Sequence, residues 1–282
     1  MTTQYETRCE KNCLEKQYIG LYIAYYLRKN ACQQPVAVGG GSTNLQVLRA
    51  IHQDVKDQRS TVSQVLTNHL AGIYLAIDLN EYTLTNWYCT GGLLRVSRAD
   101  FIEGAEKAIQ DRGFWMSVVG ANGFLPPSLS TATSREHPVK KAMIDKAINS
   151  VILPIDSSKW GKPAGQHFIT IDEIVSSDKK VILVTCFPVQ DLENDESQDG
   201  LIERSNRFLD AISQLTQQWQ YNLTVSTAPV SAGEVEFTAT EIECKPRSIA
   251  SEVRRAYAQL VSPGQERQIG LIVRFDLWGN PR

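Results

Sequence analysis

The sequence predicts an α/β protein: a parallel sheet with helices on both faces, followed by a small C-terminal α+β unit. Three observations carry this. Short apolar runs of strand length alternate with helical patterns from Val36 to Phe187, the signature of strands joined by crossover helices. Most of these strands end in Gly, Ser, Thr or Asn, as at Gly39-Gly40-Gly41, Thr67-Asn68, Thr90-Gly91-Gly92 and Gly120-Ala121-Asn122-Gly123. Finally, an acidic, apolar-poor run from Gln190 to Gly200 interrupts the pattern and reads as an exposed linker.

The elements follow in order. Leu14, Tyr18, Leu21, Tyr22, Tyr25 and Tyr26 recur at spacings of three and four, predicting a helix from about Lys11 to Lys29 with one apolar stripe. Pro35 introduces the strand Val36–Val38, then a glycine loop and a helix over Thr43–His52. A strand at Val62–Thr67 opens into the helix carrying Leu70, Ile73, Tyr74 and Ile77. Strand Leu84–Cys89, helix Ile102–Asp111 and strand Trp115–Val119 continue the alternation. The helix around Val139–Ile144 leads into the buried strand Val151–Ile155, and Val181–Phe187 closes the series. This gives a first unit over residues 1–189. A second over 201–282 is expected to hold helices at 201–218 and 248–260 and strands at 222–226, 234–243 and 268–277.

In 282 residues, 29 Lys and Arg face 31 Asp and Glu, so no whole-chain field draws the protein onto nucleic acid. No apolar run approaches the roughly 18 to 20 residues of a spanning helix. Cys9, Cys13, Cys32, Cys89, Cys186 and Cys244 are scattered through the chain, which fits reduced thiols and a cytoplasmic setting. Cys9 and Cys13 stand one helical turn apart and read as packing residues; no metal site is expected. His52, His69 and His167 have no metal spacing either, though His69 could reach the sheet edge from the Thr67 loop.

Two segments carry chemistry. Gly39-Gly40-Gly41-Ser42-Thr43 sits between a strand and a helix, where glycines admit an anion to the backbone and the helix start offers unpaired N–H groups. It lacks a P-loop lysine and a dinucleotide fingerprint, so neither ATP nor NAD is implied and no cofactor is expected. Asp156-Ser157-Ser158-Lys159 follows the strand Val151–Ile155 and delivers a cation and hydroxyls to the same edge. A phosphate held between the two loops is the predicted site.

These segments, with TGGLLR at Thr90–Arg95, FIEGAEKAI at Phe101–Ile109, GANGF at Gly120–Phe124, VKKAMI at Val139–Ile144 and DSSKWG at Asp156–Gly161, resemble the effector-binding domain of DeoR-family transcriptional regulators over about Lys16–Val184. DSSK preceded by KKAMI and an apolar strand is the most specific part. The resemblance implies a sugar-phosphate isomerase-like fold, shared with ribose-5-phosphate isomerase and glucosamine-6-phosphate deaminase, and a phosphorylated sugar or related metabolite as ligand. It adds Thr67, Asn68, Gly91, Gly92, Asn122, Glu136 and Lys140 to the expected pocket. Such regulators carry an N-terminal winged helix-turn-helix, whereas the first helix here begins almost at Met1; direct DNA binding is not expected, and the tail is expected to act through a protein partner or self-association.

Related isomerases place a carboxylate in the loop equivalent to Gly120–Gly123. Here that loop offers Asn122, which can bind a hydroxyl but not accept a proton at neutral pH. The expectation is therefore a sensor. An isomerase-like enzyme using Glu136 or His137 as base, and a structural relative with an inactive pocket, are the alternatives.

Overall fold

The computed structural model describes residues 4–79, 84–161, 165–188, 220–229, 238–242 and 269–278. The predicted linker at 190–200 and the predicted helices at 201–218 and 248–260 lie outside these. The first helical segment is two helices: α1 (Gln4–Glu10) and α2 (Cys13–Asn30). Between them Asn12 adopts a left-handed conformation at φ 53°, which Asn tolerates better than most residues. Cys9 and Cys13 therefore flank a helix break instead of sharing one turn.

Strand β1 (Pro35–Val38) leads through the glycine loop into α3 (Ser42–Lys56). β2 (Gln64–Thr67), α4 (Leu70–Ile77) and β3 (Asn86–Cys89) repeat the unit. The helix expected over Ile102–Asp111 is reduced to α5 (Lys107–Gln110). The chain ahead of it is instead a hairpin, β4 (Leu94–Arg95) against β5 (Asp100–Phe101) with a 3-10 turn at Val96–Arg98, and Gly104 turns at φ +83°. Backbone bonds from Leu70 to Ala99 and from Phe101 to Asn68 fasten this hairpin beside α4.

Then come β6 (Phe114–Val118), β7 (Gly123–Leu125), β8 (Ser128–Thr131), α6 (His137–Lys146) and β9 (Ala147–Pro154). β10 (Gln166–Thr170), α7 (Ile171–Val175) and β11 (Lys180–Pro188) follow. β10, β8 and β7 form a small antiparallel sheet that the alternation does not foretell.

The main sheet runs β13-β12-β14-β11-β9-β6-β1-β2-β3, where β12 is Gln220–Pro229, β13 Thr238–Ile242 and β14 Ile269–Trp278. Its six strands from β3 to β11 are all parallel. The described tail strands do not make a sheet of their own. β14 lies antiparallel on β11 from Val181↔Leu277 to Pro188↔Gly270, then pairs with β12. Val273, Phe275 and Leu277 join the core on one face, and Ile272 joins that on the other.

One core packs α5, α6 and α7 against Val151, Leu153, Val181 and Leu183; the other packs α2 and α3 against Val36, Val38, Ile152 and Ile182. Alternate residues of each strand thus serve opposite faces, as a sheet covered on both sides requires. α2 and α3 touch so closely that a Cβ on Gly20 would stand 2.6 Å from the Gln46 carbonyl carbon. Among the described residues no helix is long and apolar enough to cross a membrane.

Candidate functional site

From β1 the chain winds to β2 and β3 in one direction, while β6, β9 and β11 extend the sheet in the other. The switch point lies between β1 and β6, and in open α/β sheets the crevice outside the strand ends opens at such a point. A cleft lies there. Gly40, Gly41, Ser42, Thr43 and Asn44 form one wall from β1 into α3, and Gly120, Ala121 and Asn122 after β6 form the next. Lys159 closes one side; Glu136 and Lys140 enter at the start of α6, Arg95, Arg98 and Asp100 from the hairpin, and Arg8 from α1.

The glycine loop is shaped by contact. A Cβ on Gly40 would stand 2.8 Å from Asp100 Cβ, and Gly41 sits at φ +119°, which L side chains rarely adopt. Asn44 donates to the carbonyls of Gly39 (2.9 Å) and Gly40 (3.3 Å), pinning the loop from inside α3. Gly39 itself lies behind the wall, its N–H donating to Val118 at 2.9 Å.

The two predicted loops do meet. Lys159 Nζ donates to Thr43 Oγ1 at 3.0 Å and pairs with Asp156 Oδ2 at 2.9 Å. Thr43 Oγ1 donates to the same carboxylate at 3.1 Å. Asp156 is fully buried; burial alone would raise its pKa, but Lys159 and its hydroxyl and ammonium donors hold it well below the usual carboxylate range. Ser158 also donates to Asp156. Ser157 turns the other way: its N–H and Oγ both donate to the buried Glu15 carboxylate, at 2.8 and 2.6 Å. Trp160 anchors the turn, its Nε1 donating to Thr185 at 3.1 Å and its ring meeting Phe124 edge-on. Asp156, Ser157 and Ser158 thus build the wall that presents Lys159.

Glu136 is the hub of a second ionic cluster. Its two oxygens face Arg95 Nη1 at 2.8 Å and Lys140 Nζ at 2.9 Å, and Lys140 also donates to the Gly120 carbonyl at 2.7 Å. Arg95 places a fork on Asp100, at 2.9 Å through Nε and 2.7 Å through Nη2. Burial would raise the Glu136 pKa, yet Lys140 and Arg95 outweigh it and bring the carboxyl down to about 2. Burial lowers Lys140 and raises Asp100. Because the Glu136 carboxyl ordinarily titrates at 4.5, its pairing stabilises the fold fully above that pH and is lost as pH falls toward 2. Glu136→Gln should therefore flatten the acid side of the stability curve between about pH 4.5 and 2. Urea unfolding across that range tests this; an unchanged slope would count against the cluster.

Of the expected pocket, Gly40, Gly41, Ser42, Thr43, Asn122, Glu136, Lys140 and Lys159 line the cleft. Thr67, Asn68, Gly91 and Gly92 do not. Thr67 Oγ1 accepts from the His69 N–H and shapes its own loop, while Asn68 Nδ2 donates to the Phe101 carbonyl and fixes the hairpin. Gly92 lies close against the backbone of Glu103 and Ala105. His69 is fully buried and its pKa falls to about 4 through desolvation. His137 faces Thr131 Oγ1 and the Phe168 ring.

Several site residues went unmarked by the sequence pattern. Arg95, Arg98 and Asp100 follow a strand-end glycine loop, the same placement that singled out Lys159, and could have been found that way. Arg8, Asn12, Glu15 and Lys16 carry no such sign, being brought to the site only by the packing of α1 and α2. Asn12 Nδ2 lies 3.4 Å from both Asp156 Oδ1 and Ser157 Oγ.

A doubly wound sheet with an ionic cleft at its switch point places the chain among ligand-pocket α/β folds. More particularly, it belongs to the DeoR C terminal sensor domain family, whose model matches residues 11–177, over half of the chain. No curated protein matches its sequence. Solved structures similar to it include ribose 5-phosphate isomerase A from Methanocaldococcus jannaschii, at 12% identity over 93% of this chain and 80% of that one, TM-score 0.35. The enzyme from Plasmodium falciparum gives 12% identity over 90% and 89%, TM-score 0.35. That from Neisseria gonorrhoeae gives 10% over 94% and 77%, TM-score 0.33.

Proposed function

We propose that the chain is an effector-binding sensor of DeoR type whose ligand is a phosphorylated sugar or a related metabolite, with the response passed to a protein partner or a second copy. The observation that carries this is the cleft itself: five cationic side chains, Arg8, Arg95, Arg98, Lys140 and Lys159, line it beside the start of α3, against the two carboxylates of Asp100 and Glu136. Such a surface favours an anion, and Asn122 and Ser42 add groups that bond sugar hydroxyls.

The sensor reading is favoured over an isomerase by the state of the acids. A general base must take up a proton near its working pH, and Glu136 is held at about 2 by two cations. Asp100 is occupied by the Arg95 fork. His137 is engaged outside the cleft lining.

Thermal-shift measurements against a panel of phosphorylated sugars test the proposal. A ligand at about a hundred times its Kd adds roughly 2.7 kcal/mol, or a rise of about 5–11 °C for a chain of this size. NMR of the same samples should show the sugar unchanged. Interconversion of the sugar would select the enzyme reading, and no shift with any member would select the inactive pocket.

A further inference from the structure

The cleft's charges do not balance, and the imbalance is local. Lys159 is committed to Asp156 and Thr43, Lys140 to Glu136 and the Gly120 carbonyl, and Arg95 to Asp100 and Glu136. Among the described residues Arg98 pairs only with Glu136, at 3.9 Å, and that oxygen already accepts from Arg95 at 2.8 Å. Among the described residues Arg8 makes no ion pair, although it lines the same cleft. Among the described residues, two guanidinium groups thus share a partly buried space with no close carboxylate of their own: Arg8 has no ion pair, and Arg98 has only the far side of a carboxylate oxygen that Arg95 already holds. Their proximity is felt: burial first, then the charge of Arg8, pushes the Arg98 pKa down.

We infer that Arg8 and Arg98 together grip the anionic group of the ligand, a dianionic phosphate monoester, opposite the Gly40–Ser42 loop, and that an occupied site thereby fixes α1. A phosphate monoester carries about −1.5 to −2 charges near neutrality, matching two arginines that no close carboxylate holds. The guanidinium fork suits phosphate oxygens, and the first N–H groups of α3 supply donors from the other side. The link to α1 is direct because Arg8 belongs to that helix. Its carbonyl also accepts from Lys16 Nζ, the ammonium whose charge Asp156 feels. This inference rests on the anion-binding reading above, but assigns the grip to residues other than Lys159.

The test is calorimetry with inorganic phosphate as probe, on the intact wild-type chain, Arg8→Gln, Arg98→Gln and the exposed control Lys141→Gln. Each arginine variant should weaken phosphate binding about tenfold or more, and the control should leave it unchanged. All should melt like the wild type without phosphate, since neither arginine holds a close carboxylate. Hydrogen exchange should show phosphate protecting the amides of residues 4–10 in the wild type and not in Arg8→Gln. Wild-type affinity in both arginine variants, or no phosphate binding by the wild type, overturns the inference. Phosphate binding that depends on both arginines, with no sugar phosphate recognised, would sustain it and sink the sugar-phosphate reading.

Discussion

Replacing Lys159 with Ala should destabilise the protein by about 3–5 kcal/mol, the cost of leaving a buried carboxylate without its ion-pair partner. Asp156 has no exposed surface, and Lys159 is its one ionic partner within 3 Å among the described residues. Thr43, Ser158 and Asn12 bond to the carboxylate but cannot neutralise it. In a chain of this size the loss corresponds to a melting temperature lower by roughly 6–20 °C. The effect should shrink in acid. Asp156 titrates lower when folded than its ordinary 3.8, so the stability from its pairing is present above that value and is lost as pH falls through the folded one. Differential scanning calorimetry at neutral pH decides the matter: a variant melting with the wild type would mean that Lys159 faces the ligand and leaves Asp156 satisfied by other groups.

Removing residues 189–282 should prevent the remainder from folding stably. The cut would strip β14 from β11, an antiparallel pairing that runs from Val181↔Leu277 to Pro188↔Gly270. It would open both cores, since Val273, Phe275 and Leu277 lie in one and Ile272 in the other. It would also remove Arg274, whose Nη1 donates to Tyr22 on α2 at 3.1 Å and whose guanidinium lies 5.0 Å from the Tyr26 ring. Asp276, paired with Arg274 and with Lys180, would go with it. Phe275→Ala alone should cost about 3–5 kcal/mol. Circular dichroism with thermal melting of residues 1–188 reads the outcome. A cooperative transition at the wild-type temperature would restore the two-unit division that the acidic run at 190–200 suggests.

The alternation of apolar runs and helical patterns determined the parallel sheet, because strand and helix periods are local properties of the chain. The same local periods place the strand-end loops on one edge, where Gly39–Thr43 and Asp156–Lys159 meet: Lys159 Nζ and Thr43 Oγ1 stand 3.0 Å apart. Tertiary structure decided what each group does there. Asp156 stands only three residues before Lys159, but it is the packing of the folded chain that leaves Asp156 without exposed surface, and a charge so placed must be paired. The Arg95–Asp100–Glu136 cluster joins a hairpin to the start of α6, a pairing no period encodes. Arg8 and Glu15 reach the site because the break at Asn12 lets α1 and α2 pack separately. The tail strands, whose alternation says only that they are strands, found their place because the edge of β11 offered unpaired N–H and C=O groups and an apolar surface to cover.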